Sequence, residues 1–260
     1  MTLAGANKGG FIRSLELERD RVADFDSHPF SIPAIRTLTT LEFDARATFF
    51  VGENGSGKST LVEAFAIAAG LNPEGGSQNF AFDTRASHSE LHEYIRLVRG
   101  IERPATAYFL RAESFYNVAT QVEDLDRSPS FGPKVVDSYG GRSLHEQSHG
   151  ESFLSLVVDR FGPRGLYVLD EPEAALSVPG CLALLRRMHE LAAQGSQFVV
   201  ATHSPILLAS PGALIYSITE EGFEPTAYEN TEPYTLTRSF LEDRQRFFRH
   251  LLFDEPGQSS

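Results

Sequence analysis

The stretch with the clearest chemistry is eight residues long and fits the pattern G-x-x-x-x-G-K-[ST]; it reads Gly52-Glu53-Asn54-Gly55-Ser56-Gly57-Lys58-Ser59. Its glycines let backbone N–H groups surround an anion without interference from a Cβ atom. An apolar run at 47–51 precedes it and an alanine-rich run at 61–69 follows it, so the expected context is strand, loop and helix. The helix N-terminus adds partial positive charge behind bound phosphates. We therefore predict that Lys58 neutralises the outer phosphates of a nucleotide, that Ser59 ligates Mg²⁺, and that Thr60 lies beside them.

A second chemical signal is a pair of acids, Asp170 and Glu171, directly after the apolar run 166–169. Successive side chains of a strand point to opposite faces, so adjacent acids can serve different partners. We predict that Asp170 holds Mg²⁺, directly or through water. Glu171 is predicted as the catalytic base that orients and deprotonates the water attacking the last phosphate.

Three further segments lie near these acids in the chain. The helix start Gln147-Ser148-His149-Gly150-Glu151 precedes Asp170 by 22 residues, counted from Ser148, and His203 follows a predicted strand 33 residues after Asp170. Between them lies Ala174-Ala175-Leu176-Ser177. A serine and a glycine at a helix start can bind an anion, and a histidine at a strand end can reach one.

Together these five pieces, spanning residues 52 to 205, resemble the ABC-type class of P-loop ATPases. The helix start resembles the class signature Leu-Ser-Gly-Gly-Gln, matching at Ser148 and Gly150 and departing at Gln147, His149 and Glu151. The run at 170–174 and the signature look most like stand-alone bacterial predicted AAA-family ATPases of the SMC/RecF-like branch. The resemblance implies ATP and Mg²⁺ as cofactors and a homodimer with nucleotide at its interface. It also implies that Ser148, Gly150 and Glu151 bind the γ-phosphate held by the opposite subunit, and that His203 acts as the switch histidine.

The expected fold is α/β: the P-loop NTPase fold of the ABC-ATPase type, with a mostly parallel sheet flanked by helices, a small antiparallel N-terminal β region and a helical lobe. We expect one domain over 1–260, with the lobe inserted at about 72–160. The coarse pattern predicts strands, helices and one hairpin: strands at 11–17, within 32–43, and at 106–110, 166–169 and 198–201; helices at 91–98, 115–122, 152–161, 181–194 and 239–252; and a hairpin near 220–222.

Composition excludes several classes of protein. The 260 residues include one cysteine, Cys181, so no disulfide framework or CxxC metal pattern is available within the chain. No run approaches the roughly 18 apolar residues of a membrane helix, and the N-terminus does not resemble a secretion signal. We therefore expect a cytoplasmic protein without direct membrane insertion. The net charge of −12 argues against a broad nucleic-acid surface, and the arginines near 96–103 and 244–249 are expected to be solvated.

The sequence leaves several alternatives open. The sequence does not identify the partner on which the predicted ATPase acts. In one alternative the chain is the ATP-binding subunit of a membrane transporter. In another it acts with a nuclease or DNA in repair or defence. A nucleotide sensor without hydrolysis is a third. Phe30 either stacks on adenine or lies in the core. The class has a lobe-coupling glutamine at the position of 109–113, where this sequence has none. Either Arg111 or Glu113 substitutes for it, or the coupling differs.

Overall fold

The computed structural model describes residues 9–73, 76–77, 89–112, 149–249 and 251. Its helices and strands, in chain order, are β1 Ile12–Leu17, α1 Pro33–Thr37, β2 Thr40–Glu42, β3 Ala47–Gly52, α2 Lys58–Ala68, β4 Gly76–Ser77, β5 Ile95–Arg99, β6 Thr106–Arg111, α3 His149–Arg160, β7 Gly165–Asp170, α4 Val178–Ala193, β8 Gln197–Ala201, α5 Pro205–Leu208, β9 Leu214–Thr219, β10 Gly222–Thr226, α6 Glu232–Glu242 and α7 Arg244–Phe248.

The larger sheet has seven strands in the order β10-β9-β3-β8-β7-β6-β4. The five strands from β9 to β6 run parallel, and β10 and β4 pair antiparallel at the two edges. Every residue of β7 and of β8 is buried, as expected for central parallel strands covered on both faces. Two hydrophobic clusters cover the sheet, one containing the buried residues of α2 and the other those of α3 and α4.

The smaller sheet is antiparallel, with β1 between β2 and β5. A fully buried amide joins it to the larger sheet. Gln197 at the start of β8 donates through Nε2 to the carbonyls of Ile12 and Asp44, at 2.8 and 2.9 Å, and accepts the N–H of Ile12 at 2.9 Å. The predicted fold class is confirmed: a mostly parallel sheet flanked by helices, with a small antiparallel region that includes the N-terminal strand.

Three of the predicted elements are wrong in part or in whole. The helix expected over 91–98 is a short 3-10 turn, Glu90–Glu93, followed by β5, because pairing with β1 favours an extended chain over local helical spacing. Within the expected strand region 32–43, Pro33 at the first helical position starts α1, and the strand is limited to Thr40–Glu42. The last helix begins at Glu232 and is interrupted at Asp243.

Other predictions fall partly or wholly outside the described residues. The helix expected at 115–122 lies outside them, and so does most of the predicted lobe at 72–160. The described parts of that interval contribute β4, β5, β6 and α3, so the single domain with an inserted lobe stays a prediction. Among the described helices, none is both long and apolar enough to cross a membrane.

Candidate functional site

The phosphate-type loop connects β3 to α2. Gly55 and Gly57 have φ angles of 81° and 98°, which are left-handed conformations that favour glycine. Space also matters at Gly57, where a Cβ atom would lie 3.0 Å from Cγ2 of Ile32. At Gly55 a Cβ atom would meet nothing within 4 Å. Backbone conformation therefore favours glycine at both positions, and packing against Ile32 also favours it at Gly57.

Lys58 lies folded over this loop. Its Nζ donates to the carbonyl oxygens of Gly52 and Glu53, each at 2.8 Å, and the residue is 3% exposed. Burial lowers the pKa of Lys58, and the carboxylates of Glu171 and Asp170 oppose that shift. An ammonium has three donors, so the two carbonyls leave one donor that can be directed at a phosphate oxygen.

Ser59 and Asp170 meet across the site, although they are 111 residues apart in the chain. The Ser59 hydroxyl donates to Oδ1 of Asp170 at 3.0 Å, and Asp170 is 3% exposed. Desolvation raises the pKa of the Asp170 carboxyl, and the neighbouring Arg111 guanidinium opposes that rise. No group of three or more His, Cys, Asp or Glu side chains among the described residues is arranged to hold a metal. A hydroxyl and one carboxylate fit Mg²⁺, which takes few protein oxygens and completes its shell with phosphates and water.

Glu171 and His203 lie at the ends of the two central strands. Glu171 has a φ of 48°, a left-handed conformation that is uncommon for a residue other than glycine, and its N–H donates to the carbonyl of Ala201 at 2.9 Å. The His203 Nε2 atom is 3.6 Å from Oε1 of Glu171, beyond hydrogen-bond length. Within the described part of the chain this nitrogen is buried without a hydrogen-bond partner. Glu173 accepts the backbone N–H of His203 and so holds that loop.

The start of α3 packs beside the turn that follows Glu171. A Cβ atom at Gly150 would lie 3.3 Å from the carbonyl of Ala175. Gly150 is half-buried and Glu151 is exposed, so a neighbouring molecule can reach this helix start. Ser148 lies outside the described residues, and its predicted role stays a prediction.

Comparison with known proteins adds family evidence to this geometry. The AAA domain family model matches residues 24–124, which include the whole phosphate loop. A putative ABC transporter ATP-binding protein of Streptomyces coelicolor is 28% identical over 183 residues, covering 64% of this chain and 63% of that protein. A putative ABC transporter ATP-binding protein of Pyrococcus furiosus is 26% identical over 223 residues, covering 81% and 84%. The chain is similar to ATP-binding proteins of the ABC type, and part of it matches the AAA domain family.

The chain thus aligns with slightly less than two thirds of the Streptomyces protein's length. Among solved structures, the SMC head domain from Thermotoga maritima superposes on this chain with a TM-score of 0.44 at 16% identity, covering 83% of this chain and 99% of that one. The fold assignment rests on the strand order and the loop geometry described above rather than on this superposition.

Arg111 is a site residue whose role the sequence analysis left undecided. Its Nε donates to Oδ2 of Asp170 at 3.0 Å, and a second guanidinium nitrogen donates to Glu63 at 2.8 Å. Glu63, which the sequence did not indicate at all, lies one helical turn after Ser59 on α2. That i, i+4 spacing was the available signal. Glu113 lies outside the described residues.

Phe30 is not available to stack on an adenine ring. The residue is 2% exposed and packs edge-to-face on Tyr94, with ring centroids 5.0 Å apart. The adenine-stacking alternative for Phe30 is therefore wrong, because its ring belongs to the core between the small sheet and α2.

An open cavity of about 590 Å³ lies next to the loop, on the side of β9 and β10. Four carboxylates line it: Glu53, Glu220, Glu221 and Glu232. The phosphate loop, residues 52–56, forms another part of its wall. The carboxylates disfavour a triphosphate on the side of the cavity away from the loop.

Proposed function

We propose that this ATPase closes on a second copy of itself around two Mg·ATP molecules, and that hydrolysis reopens the pair. The proposal rests on five predicted residues that lie together beyond the carboxyl ends of the inner parallel strands. They are Lys58, Ser59, Asp170, Glu171 and His203. They come from separate chain segments, and the ends of β3, β7 and β8 bring them together.

Each residue has a role that its position supports. Lys58 carries the positive charge for the outer phosphates, and the N-terminus of α2 lies behind them. Ser59 and Asp170 would hold Mg²⁺, which supplies charge neutralisation at the phosphates. Glu171, about two-fifths exposed, takes the proton of the attacking water. His203, with its partnerless Nε2, donates a hydrogen bond to the γ-phosphate.

A second copy of the chain would shield the bound phosphate from water, which one chain alone does not do in this arrangement. Glu171 and His203 are each more than a third exposed, so a phosphate bound beside them in one chain would be open to water. Exclusion of water strengthens the electrostatic interactions that stabilise charge. The exposed start of α3, with Gly150 and Glu151, offers a second helix N-terminus that can cap the same phosphate from another molecule. The predicted contribution of Ser148 belongs to this surface. A symmetric pair then contains two equivalent composite sites.

Mixing two inactive variants tests this arrangement. Lys58→Ala removes the phosphate cation, whereas Gly150→Asp places a negative charge where the opposite phosphate must approach. Each variant alone should lack turnover. Mixed at equal amounts, half of the dimers pair one of each, and each mixed dimer keeps one intact composite site, so about a quarter of normal phosphate release should return. No recovery in the mixture, with both variants folded, would contradict composite sites shared between two copies.

The names of the two curated relatives favour a second candidate, the ATP-binding subunit of a membrane transporter. In that case the same ATP-binding dimer would bind a membrane protein, and the chain would co-purify with that protein from detergent extracts. The Asp170–Ala174 run supports instead the SMC/RecF-like branch. Under that proposal the protein acts in the cytoplasm. Its effector, whether a protein or DNA, stays unidentified. ATP turnover stimulated by DNA would favour the repair or defence alternative.

A further inference from the structure

Arg111 forms a buried fork between the two acids nearest the predicted cation site. It is the register partner of Asp170 on the adjacent parallel strand, so the two side chains leave neighbouring strand ends side by side. The Arg111 side chain is 19% exposed, that of Glu63 11% and that of Asp170 4%. At such burial, charges interact much more strongly than surface pairs do.

The fork divides the two oxygens of Asp170 between two partners. Ser59 is bound to Oδ1 and Arg111 to Oδ2. The guanidinium of Arg111 therefore holds one oxygen of the Asp170 carboxylate. The other oxygen, together with the Ser59 hydroxyl, faces the predicted cation site. Glu63, in turn, keeps the guanidinium in place through its second nitrogen.

We propose that Arg111 is a positioning residue that partly substitutes for the divalent cation in balancing Asp170, so that ATP binding at this site depends only weakly on Mg²⁺. Without Arg111, the Asp170 carboxylate would repel metal-free ATP, and Mg²⁺ would be required to offset that repulsion. With Arg111, part of the negative charge is offset before any metal binds. This inference rests on the proposed function, because it assumes that the phosphates lie at Lys58 and Ser59.

The cluster of Glu63, Arg111 and Asp170 has a formal charge of −1 when its members are ionised. Arg111→Gln changes that charge to −2, and Glu63→Gln changes it to 0. The two variants therefore predict opposite results at the same site. Arg186→Gln and Glu190→Gln make the same charge changes in an exposed pair on α4, where solvent screens their effect, and serve as matched controls.

The experiment measures the dissociation constant of ATP by titration calorimetry, once in EDTA and once in saturating Mg²⁺, for the full chain. The ratio of the two constants, EDTA over Mg²⁺, reports how far binding depends on the metal. Arg111→Gln should raise this ratio about tenfold, since a unit charge near the phosphates is worth at least that factor. Glu63→Gln should lower it, and both controls should leave it unchanged.

Thermal unfolding of each variant shows that the protein tested is folded. If Arg111→Gln does not fold, Glu63→Gln decides alone, because it keeps the arginine and must still lower the ratio. An unchanged ratio in the folded variants, with normal ATP binding by the unmodified chain, would overturn this inference and leave the proposed function intact. Absence of ATP binding by the unmodified chain would overturn both.

Discussion

Changing Glu171 to glutamine removes one negative charge from the site and keeps the size and shape of the side chain. The structure separates its effects on chemistry and on stability. Among the described residues, the Glu171 carboxylate lies 3.6 Å from His203, and both side chains are more than a third exposed. The same carboxylate also interacts electrostatically with the buried Lys58 ammonium. The exposed His203 contact contributes at most about 1 kcal/mol, or about 2–4 °C in Tm. Loss of the interaction with Lys58 adds to that decrease. Loss of a general base lowers turnover by about 10²- to 10⁴-fold.

The assay compares phosphate release with the oligomeric state in Mg·ATP. Glu171→Gln should bind ATP, release almost no phosphate and accumulate as a dimer in size-exclusion chromatography, because closure precedes hydrolysis in the proposed cycle. Glu190→Gln, an exposed acid on α4, is the control and should behave as the unmodified chain. Unchanged phosphate release by folded Glu171→Gln would refute the assignment of Glu171 as the base.

Three further changes follow from the contacts described above. Lys58→Ala should weaken ATP binding by about tenfold or more in a calorimetric titration, because the phosphates lose their nearest buried cation; unchanged affinity would contradict its role. Gly57→Ala should lower the free energy of unfolding, measured by urea titration, more than Gly55→Ala does. Both variants lose about 1–2 kcal/mol because alanine disfavours the left-handed backbone, but only the Cβ atom at position 57 meets a neighbour, at 3.0 Å. Equal losses would show that this contact does not matter. Phe161→Ala should cost about 3–5 kcal/mol in the same urea measurement, since its ring stacks on Tyr167 at 4.0 Å inside the core; a loss below about 1 kcal/mol would contradict that packing.

Sequence reasoning succeeded where the local pattern and the tertiary environment agree. The apolar runs of β7 and β8 become buried strands, and Gly222, with a φ of 132°, follows the predicted turn between β9 and β10. It failed where partners distant in the chain decide. The apolar residues of 91–98 have helical spacing, but Ile95–Arg99 pairs with β1 through a ladder of backbone hydrogen bonds.

The site was predictable in the same uneven way. Motif spacing identified Lys58, Ser59 and Asp170, and the structure places them within contact of one another or of the loop. The connection of Arg111 to Glu63 and Asp170 depends on strand register and on which helix face meets the sheet. Neither can be read from one sequence. Burial of Phe30 likewise depends on packing, since spacing alone does not distinguish a core ring from a stacking ring.

The buried amide of Gln197 has a mechanical consequence. Separating the antiparallel sheet from β8 would leave a side-chain amide and three backbone groups without partners in a dry interior, at about 1–3 kcal/mol for each group. The two sheets are therefore expected to rotate as one block during any nucleotide cycle. His203, two residues beyond the end of β8, stays at a fixed distance from that block, so the parts that swing must hinge elsewhere in the molecule.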